Sequence, residues 1–181
     1  MPRRLNFTGV VLAGGRSSRM GRDKALLAID GGTLLDRAIA LLRDAGATRV
    51  LVSGDRPAHD GIPDAFPGLG PVGGIASVLT HVDDGAMLVV PVDMPALDVD
   101  TLCVLFEATA AVSAAHFVGH PLPWSAYVDA RVRAQVAALA AGGEGPSMRA
   151  LHAAVGGIEW PAPDAARLRN VNAPADWAEF A

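Results

Sequence analysis

The sequence is poor in several features that define large classes of protein. Cys103 is the only cysteine in 181 residues, which excludes a disulfide within the chain, and its apolar neighbours predict a buried side chain in a reducing compartment. No apolar run approaches the roughly 18 residues that a membrane-spanning helix requires, and no secretory leader is recognisable. We therefore expect a cytoplasmic protein. Aromatic residues make up only 5% of the chain, so a core of alanine, valine and leucine is predicted.

Lysine is almost absent as well. Of the 15 basic residues all but one are arginine, and Lys24 is the single lysine. The formal net charge of −4 argues against general nucleic-acid binding, yet several basic residues lie close together near the start of the chain. This local positive charge favours a small anionic ligand over a polymer. The residues concerned are Arg3, Arg4, Arg16, Arg19, Arg22 and Lys24.

Two familiar phosphate-binding signatures are also missing. The spacing of Gly15, Gly21 and Lys24 does not match a P-loop, which requires G-x-x-x-x-G-K followed by a hydroxyl residue. No G-x-G-x-x-G dinucleotide fingerprint is present either. The apolar run Gly9–Leu12 is followed instead by Ala-Gly-Gly and then by a basic, glycine-containing loop that ends at Lys24.

The loop at residues 13–24 has the composition of an anion-binding turn. Glycine lets the backbone approach a ligand closely, and successive backbone N–H groups in such a turn form a concave site for phosphate. The ammonium of Lys24 is a compact charge, suited to phosphate contact in places where the planar guanidinium of arginine does not fit. We interpret the stretch as a phosphate-binding loop; a solvated charge cluster in an ordinary connection is the alternative.

Strand-like and helix-like patterns alternate over the first two thirds of the chain. Strands are predicted at residues 5–12, 49–53 and 86–92, and helices at 34–45, at about 75–81 and after the N-cap Asp98. This order is typical of a parallel sheet wrapped by helices. Ligands bind outside the carboxyl ends of the strands of such sheets, so we expect three stretches to converge there. They are residues 13–24, residues 53–55 with Asp64, and Asp93.

The last third of the sequence is less regular. Strands are predicted at 115–118 and 124–128 around a turn at 119–123, and a short strand at 158–160. Helices are predicted at 129–141 and 145–155, and a further helix begins at 173–177 with proline in its first turn. No repeat or linker divides the chain, so residues 1–181 are predicted to form a single domain.

The carboxylate of Asp93 is the candidate metal ligand. It follows a buried strand directly and precedes Met94-Pro95. Mg²⁺ in proteins commonly takes one or two carboxylates together with phosphate oxygens and water, which fits a site beside a phosphate loop. A turn or helix cap before Pro95 is the alternative role for this side chain.

Several of these motifs resemble one family. The stretch L-A-G-G-R-S-S-R-M-G-R-D-K closely resembles the signature of the molybdenum cofactor guanylyltransferases, a family of small nucleotidyltransferases. Further likeness lies at Val92–Pro95, at Asp64 with Gly70–Gly74, and at Asn170–Asp176; matches at His120–Leu122 and Gly145–Arg149 are looser. The resemblance covers roughly Gly9 to Trp177.

The resemblance implies a three-layer α/β/α Rossmann-like nucleotidyltransferase fold with a mostly parallel central sheet. It implies GTP with Mg²⁺ as one substrate complex, molybdopterin or its molybdenum form as the acceptor, and contact with cofactor-handling proteins. The amino-terminal half would bind the nucleotide and the carboxyl-terminal half the acceptor, with no nucleic-acid or membrane partner. The implied residues are Arg19, Lys24 and Asp93 for catalysis; Leu12, Ala13, Gly14, Gly15, Lys24, Asp64 and Asp93 for the nucleotide; Asp93 for the metal; and His120, Asn170 and Asn172 for the acceptor.

Alternatives remain on the acceptor side. His120 could line a turn, and Asn170 and Asn172 could be turn residues that bond to their own backbone. Ala173 replaces the threonine usual in the family, and the stretch from Val112 to His120 is short for it. A cytidylyltransferase for the same cofactor, a nucleotidyltransferase for another phosphorylated acceptor, and a non-catalytic nucleotide-binding partner are the other functions considered.

Overall fold

A computed structural model describes residues 6–14, 23–143 and 145–172. Its centre is a six-stranded sheet in the order β4-β1-β5-β7-β6-β8. All neighbours run parallel except at β7, which is antiparallel to both β5 and β6. The mostly parallel sheet is therefore confirmed. The strands are β1 Phe7–Leu12, β4 Ala47–Ser53, β5 Gly85–Pro91, β6 Ala114–Phe117, β7 His120–Val128 and β8 Ile158–Trp160; β2 Ala28–Ile29 and β3 Gly32–Thr33 form a separate two-stranded ribbon.

Helices cover both faces of the six-stranded sheet. Side chains of a strand alternate between faces, so Val10 packs with α2, α4 and α5, whereas its neighbour Val11 packs with α1 and α3. The three-layer α/β/α arrangement is thus confirmed, with one apolar cluster in each interlayer space. The helices are α1 Leu34–Asp44, α2 Gly70–Leu79, α3 Val99–Ala111, α4 Ala130–Ala141 and α5 Met148–Val155. No helix among the described residues is long and apolar enough to cross a membrane.

The predicted helix starts are largely confirmed by side-chain caps. The Thr33 hydroxyl accepts a hydrogen bond from the backbone N–H of Asp36, whose carboxylate accepts one from the Thr33 N–H in return. The carboxylates of Asp98 and Asp129 cap α3 and α4, each by accepting one hydrogen bond from a backbone N–H in the first turn of its helix. The helix predicted from Gly145 begins instead at Met148, after the N-cap Ser147. The helix start predicted at residues 173–177 lies outside the described residues.

The predicted start of α2 is wrong. The sequence suggests a loop up to Gly74, but the helix begins at Gly70 with proline in its first turn, where proline is tolerated. The glycines inside the helix serve close packing, not chain reversal. A Cβ at Gly73 would lie 2.7 Å from the Phe66 carbonyl oxygen, and one at Gly74 would lie 2.7 Å from Ser53 Oγ.

Two other expectations need correction. Residues 120–123, predicted as part of a turn, belong to β7, which runs from His120 through the cis peptide Leu122–Pro123. The turn is confined to Val118 and Gly119, the latter at φ 72°. Proline suggests a break in the strand, but the irregular pairing with β6 at this point accommodates it. Cys103, expected to be buried, is half-exposed on α3 beside the apolar cluster.

Candidate nucleotide site

The candidate site lies at the carboxyl ends of β1, β4 and β5, as predicted for a parallel sheet. Past the last paired residues, the Ala13 N–H donates to the Ser53 carbonyl at 3.0 Å and the Val92 N–H donates to the Leu12 carbonyl at 3.3 Å. Gly54 is required here, because its φ is +124° and an added Cβ would lie 2.9 Å from the Gly14 nitrogen. The three strand ends therefore hold the beginning of the 13–24 loop in a fixed place.

The loop's far end brings Lys24 back to the same edge. Its ammonium donates to Asp93 Oδ2 at 3.2 Å and to Asn172 Oδ1 at 2.8 Å. The Lys24 and Asp93 side chains are 18% and 22% exposed, which leaves the pair shielded but reachable from solvent. Three of the predicted site residues, from three distant parts of the sequence, thus meet at the ammonium group of Lys24.

The segment that carries Asn172 is fixed against β5. The Val171 N–H donates to the Asp93 carbonyl at 2.8 Å, and Leu168, the last residue of the preceding 3-10 turn Ala165–Leu168, is buried. This places Asn172 beside the candidate phosphate loop. Asn170, two residues earlier, is exposed. The structure therefore brings one of the two predicted asparagines directly to Lys24.

Asp64 has contacts of a different kind. Its Oδ1 accepts hydrogen bonds from the Phe66 N–H at 2.9 Å and from the Ser77 hydroxyl at 3.1 Å. The Ser77 Oγ also lies 2.8 Å from the Gly73 carbonyl oxygen within α2, so its single proton is shared between the two acceptors. These bonds fix the loop that enters α2 and do not join Asp64 to the group around Lys24.

His120 begins β7 at the same edge of the sheet. β7 runs antiparallel to β5, with Val89 paired to Trp124, so its beginning lies on the side of the sheet where β5 ends. The backbone here is held by two buried imidazoles, which stack with ring centroids 3.8 Å apart. His116 Nδ1 lies 3.3 Å from the His120 carbonyl, and His152 Nε2 lies 3.0 Å from the Pro121 carbonyl. Burial, with His116 nearby, lowers the pKa of His152 to about 4.

Arg56 is a residue of this site that sequence reasoning missed. Its guanidinium binds the Ala13 carbonyl and the Asp23 carboxylate together. It sits a few residues beyond β4, in a loop rich in glycine, proline and aspartate. Its position after a strand end was the available signal, but arginine is too common in this chain to stand out.

Gly15 and Arg19 lie outside the described residues. Leu12, Ala13 and Gly14 are described, and the first two are buried at the strand end. Among the described residues, the atoms nearest to a Cβ at Gly14 would lie 3.6 Å away, an ordinary contact, so this part of the fold leaves room for a side chain there.

The described residues include no group of three or more Cys, His, Asp or Glu side chains that could enclose a metal ion. Asp93 is the predicted metal ligand, and its carboxylate could hold a divalent cation at this edge together with oxygens of a nucleotide and water. Such a set of hard oxygen donors fits the coordination of a metal bound mainly through substrate phosphates.

The doubly covered, mostly parallel sheet with a glycine-containing loop, a lysine and a carboxylate at one edge is a fold shared with solved structures. The structure of molybdopterin-guanine dinucleotide biosynthesis protein A from Archaeoglobus fulgidus superposes with a TM-score of 0.76 at 19% identity, over 96% of both chains. The 2-C-methyl-D-erythritol 4-phosphate cytidylyltransferase of Thermus thermophilus gives 0.71 at 20% identity, over 97% of both. Both likenesses concern the fold.

The sequence comparisons identify the family. Residues 9–156 match the model of the MobA-like NTP transferase domain, and the chain belongs to this family. It is 46% identical over 178 residues to the molybdenum cofactor guanylyltransferase of Xanthomonas euvesicatoria, covering 96% of this chain and 94% of that protein. A probable molybdenum cofactor guanylyltransferase of Deinococcus radiodurans is 35% identical, covering 97% and 94%. Family membership makes the chain an enzyme of the nucleotidyltransferase class, and such enzymes generally use a divalent metal.

Proposed function

We propose that this protein transfers GMP from GTP to the terminal phosphate of molybdopterin or its molybdenum form and releases pyrophosphate. The observation that carries the proposal is the meeting of Lys24, Asp93 and Asn172 at the carboxyl edge of the sheet. The guanylyltransferase names of relatives that match nearly the whole chain support the choice of nucleotide and acceptor. The predicted cytoplasmic location remains part of this proposal.

The reaction is a substitution at the α-phosphorus of GTP. An oxygen of the acceptor's terminal phosphate forms a bond to that phosphorus, and the bond from the α-phosphorus to the oxygen bridging it to the β-phosphate breaks. The leaving pyrophosphate gains negative charge, which the Lys24 ammonium is placed to stabilise. Arg19, in the part of the loop outside the described residues, is proposed to assist. The chain supplies positioning and charge and forms no covalent bond of its own.

Ala13 and the backbone of Gly14 and Gly15 are proposed to hold the nucleotide next to the carboxyl end of β1, where Leu12 is fixed by the sheet. Asp93 is proposed to hold Mg²⁺, which when bound neutralises phosphate charge and polarises the α-phosphate. The present Lys24–Asp93 contact balances both charges before any ligand arrives. Binding of a phosphate beside Lys24 can replace the carboxylate as its partner and leave Asp93 available to the cation.

The two halves of the chain are proposed to divide the substrates within a single domain, residues 1–181. His120 and Asn170 would face the acceptor, since β7 begins one strand away from Asp93. Asn172 lies at the junction, because it bonds directly to Lys24 on the nucleotide side. Asp64 is kept as a nucleotide-side residue that acts by fixing the loop before α2.

The decisive test is pyrophosphate release by the purified protein with Mg²⁺ and molybdopterin, in parallel reactions with GTP, CTP, ATP and UTP. Release with GTP, dependent on the acceptor, supports the proposal. Preference for CTP would assign the cytidylyl reaction to this site instead. Binding of GTP without any release, with active acceptor present, would indicate a non-catalytic nucleotide-binding protein.

A further inference from the structure

The guanidinium of Arg56 joins the two ends of the candidate phosphate loop. Its Nε and Nη2 donate to the Ala13 carbonyl at 3.1 and 2.6 Å. Nη2 also donates to Asp23 Oδ1 at 2.9 Å, and Nη1 donates to Asp23 Oδ2. Ala13 is the first residue of the loop and Asp23 the last before Lys24. The planar guanidinium of Arg56 therefore links the first residue of the loop, Ala13, to the residue before Lys24, Asp23.

The contact with Asp23 continues to Lys24. Asp23 Oδ1 accepts a further hydrogen bond from the Ala25 N–H at 3.1 Å, which caps the 3-10 turn Lys24–Leu26. The start of that turn is thus fixed through the same carboxylate that Arg56 holds. The Lys24 ammonium lies at the other end of this path, against Asp93.

Arg56 is itself held firmly by the backbone around it. Its carbonyl accepts hydrogen bonds from the His59 and Gly61 N–H groups, both at 2.9 Å. The neighbouring Ile62 N–H donates to the Val52 carbonyl, and the Ile62 carbonyl accepts from the Gly54 N–H, both at 2.8 Å. The loop that carries Arg56 is therefore hydrogen-bonded to the end of β4. These bonds fix the position of the guanidinium relative to the sheet.

We propose that Arg56 is a positioning residue that presets the nucleotide loop and Lys24 without touching the phosphates. The fork of its guanidinium is directed at Ala13 and Asp23, and the side chain is only 16% exposed. Planar two-point contacts of this kind fix orientation in a way a lysine ammonium cannot. Fixing the two ends of a loop reduces the conformational entropy that the loop loses when a ligand arrives, so affinity rises. The inference rests on the proposed function for the identity of the ligand.

Arg56→Lys keeps the positive charge and removes the two-point fork. Arg133→Lys is the matched control, because Arg133 also bridges a carbonyl, of Val82, and a carboxylate, of Asp84, but at the opposite edge of the sheet. Hydrogen exchange of the peptide covering residues 12–27 would be measured without nucleotide, and GTP affinity by calorimetry. We expect faster exchange in this peptide and about tenfold weaker GTP binding for Arg56→Lys. The control should change neither, and the KM for the acceptor should be unchanged.

Asp23→Asn removes the charge of the other partner in the same contact. This variant replaces Arg56→Lys in the test if circular dichroism shows that Arg56→Lys folds poorly. The double variant should be no worse for GTP binding than the more damaging single variant, since both remove one interaction. Unchanged exchange in both single variants, or fully additive losses, would overturn the inference. Wild-type protein that binds no GTP would refute the proposed function, and the exchange result alone would then decide whether Arg56 anchors the loop.

Discussion

The carboxyl ends of β1 and β5 and the beginning of β7 lie along one edge of the sheet, yet they are held by different chemistry. On the first side, charged groups bind charged groups: Lys24 contacts Asp93, and Arg56 contacts Asp23. On the second, buried imidazoles contact backbone carbonyls of β7. The proposed nucleotide side is thus built from groups that can exchange partners with phosphates and a metal ion, and the proposed acceptor side rests on buried imidazoles packed against backbone carbonyls.

This difference predicts how each side responds to change. Ion pairs that are partly exposed contribute little to stability, so the charged side can be altered for binding while the fold survives. The buried imidazole of His152 cannot be charged without cost, because burial lowers its pKa, so the other side should respond to pH through stability. Variants on the two sides can therefore be told apart by whether activity or unfolding is affected.

The largest effect is expected from Asp93→Asn, which removes the carboxylate charge and keeps the shape. The Val171 contact uses the Asp93 backbone carbonyl and remains. Turnover should fall by about two orders of magnitude, because a few kcal/mol of charge stabilisation on the phosphates is lost. GTP affinity should also depend less on Mg²⁺, as measured by calorimetry over a range of Mg²⁺ concentrations.

Asp100→Asn is the control for that experiment, since Asp100 is an exposed carboxylate in the first turn of α3. Its activity should equal that of the wild type. An Asp93→Asn protein that turns over normally, or that melts far below the wild type, would mean that the carboxylate is a structural cap, and the contrast between the two sides would fail.

The meeting of Lys24 and Asp93 could be predicted because both follow parallel strands, whose ends share an edge by geometry. Asn172 could not be placed by periodicity; its motif pointed to the site, but only the Val171–Asp93 bond explains how it reaches Lys24. Arg56 escaped prediction because its partners are a backbone carbonyl, of Ala13, and a carboxylate far away in the sequence, of Asp23, and no sequence pattern marks either contact.

The misread elements have a common physical cause. Glycine and proline at 70–74 and 119–123 were interpreted by their usual role in turns. In the structure, Gly73 and Gly74 lie inside a helix. Glycine stands there because neighbouring atoms leave no space for a side chain. Such tertiary contacts decide against local propensity and are invisible until the chain is folded. The stacking of His116 on His152 is likewise a long-range contact without a sequence signal.

The comparison between Gly14 and Gly54 sharpens the account of the nucleotide side. Gly14→Ala should leave the melting temperature nearly unchanged, because the nearest atoms allow a methyl group. It should weaken GTP binding, since a Cβ would stand where the purine approaches the backbone. In the wild type, GTP should bind one to two orders of magnitude tighter than CTP, because a base that leaves buried polar groups unpaired is rejected.

Gly54→Ala is the counterpart, and it should destabilise the protein because of its φ of +124° and the contact with Gly14. Calorimetry with GTP and CTP, with thermal melts of both variants, measures these effects. Equal affinity for the two nucleotides, or normal GTP binding by Gly14→Ala, would contradict the assignment of this turn to the base.

Lys24→Arg tests whether the charge or the shape of the only lysine matters. A guanidinium is planar and broader than an ammonium, so it would present its N–H donors to Asp93 Oδ2 and Asn172 Oδ1 in a different geometry. Activity should fall about tenfold, and Lys24→Met should lose more, because the charge is then absent as well. If kcat and KM stay within about threefold of the wild-type values, Lys24 contributes only to the general positive potential near the site and has no specific contact role.

The smallest effect on catalysis and the clearest on stability are expected from His152→Gln. In the folded protein His152 Nε2 faces the Pro121 carbonyl and Nδ1 is buried without a partner among the described residues. A proton on Nδ1 would thus meet no acceptor and would lie beside His116, which is why the pKa of His152 is lowered to about 4 by burial and by that neighbour.

The sign of the pH effect follows from linkage. The unfolded chain protonates His152 near its usual pKa of 6.5 and the folded protein near 4, so the unfolded state binds more protons between these values. The stabilisation is complete above pH 6.5 and is lost as the pH falls toward 4, by about 1–3 kcal/mol.

Urea unfolding across this range should show a smaller loss for His152→Gln than for the wild type. His81→Gln, at an exposed histidine, should keep the wild-type slope. Equal slopes for all three proteins would mean that His152 can be charged in the folded protein without cost, and the contrast between the two sides of the site would fail.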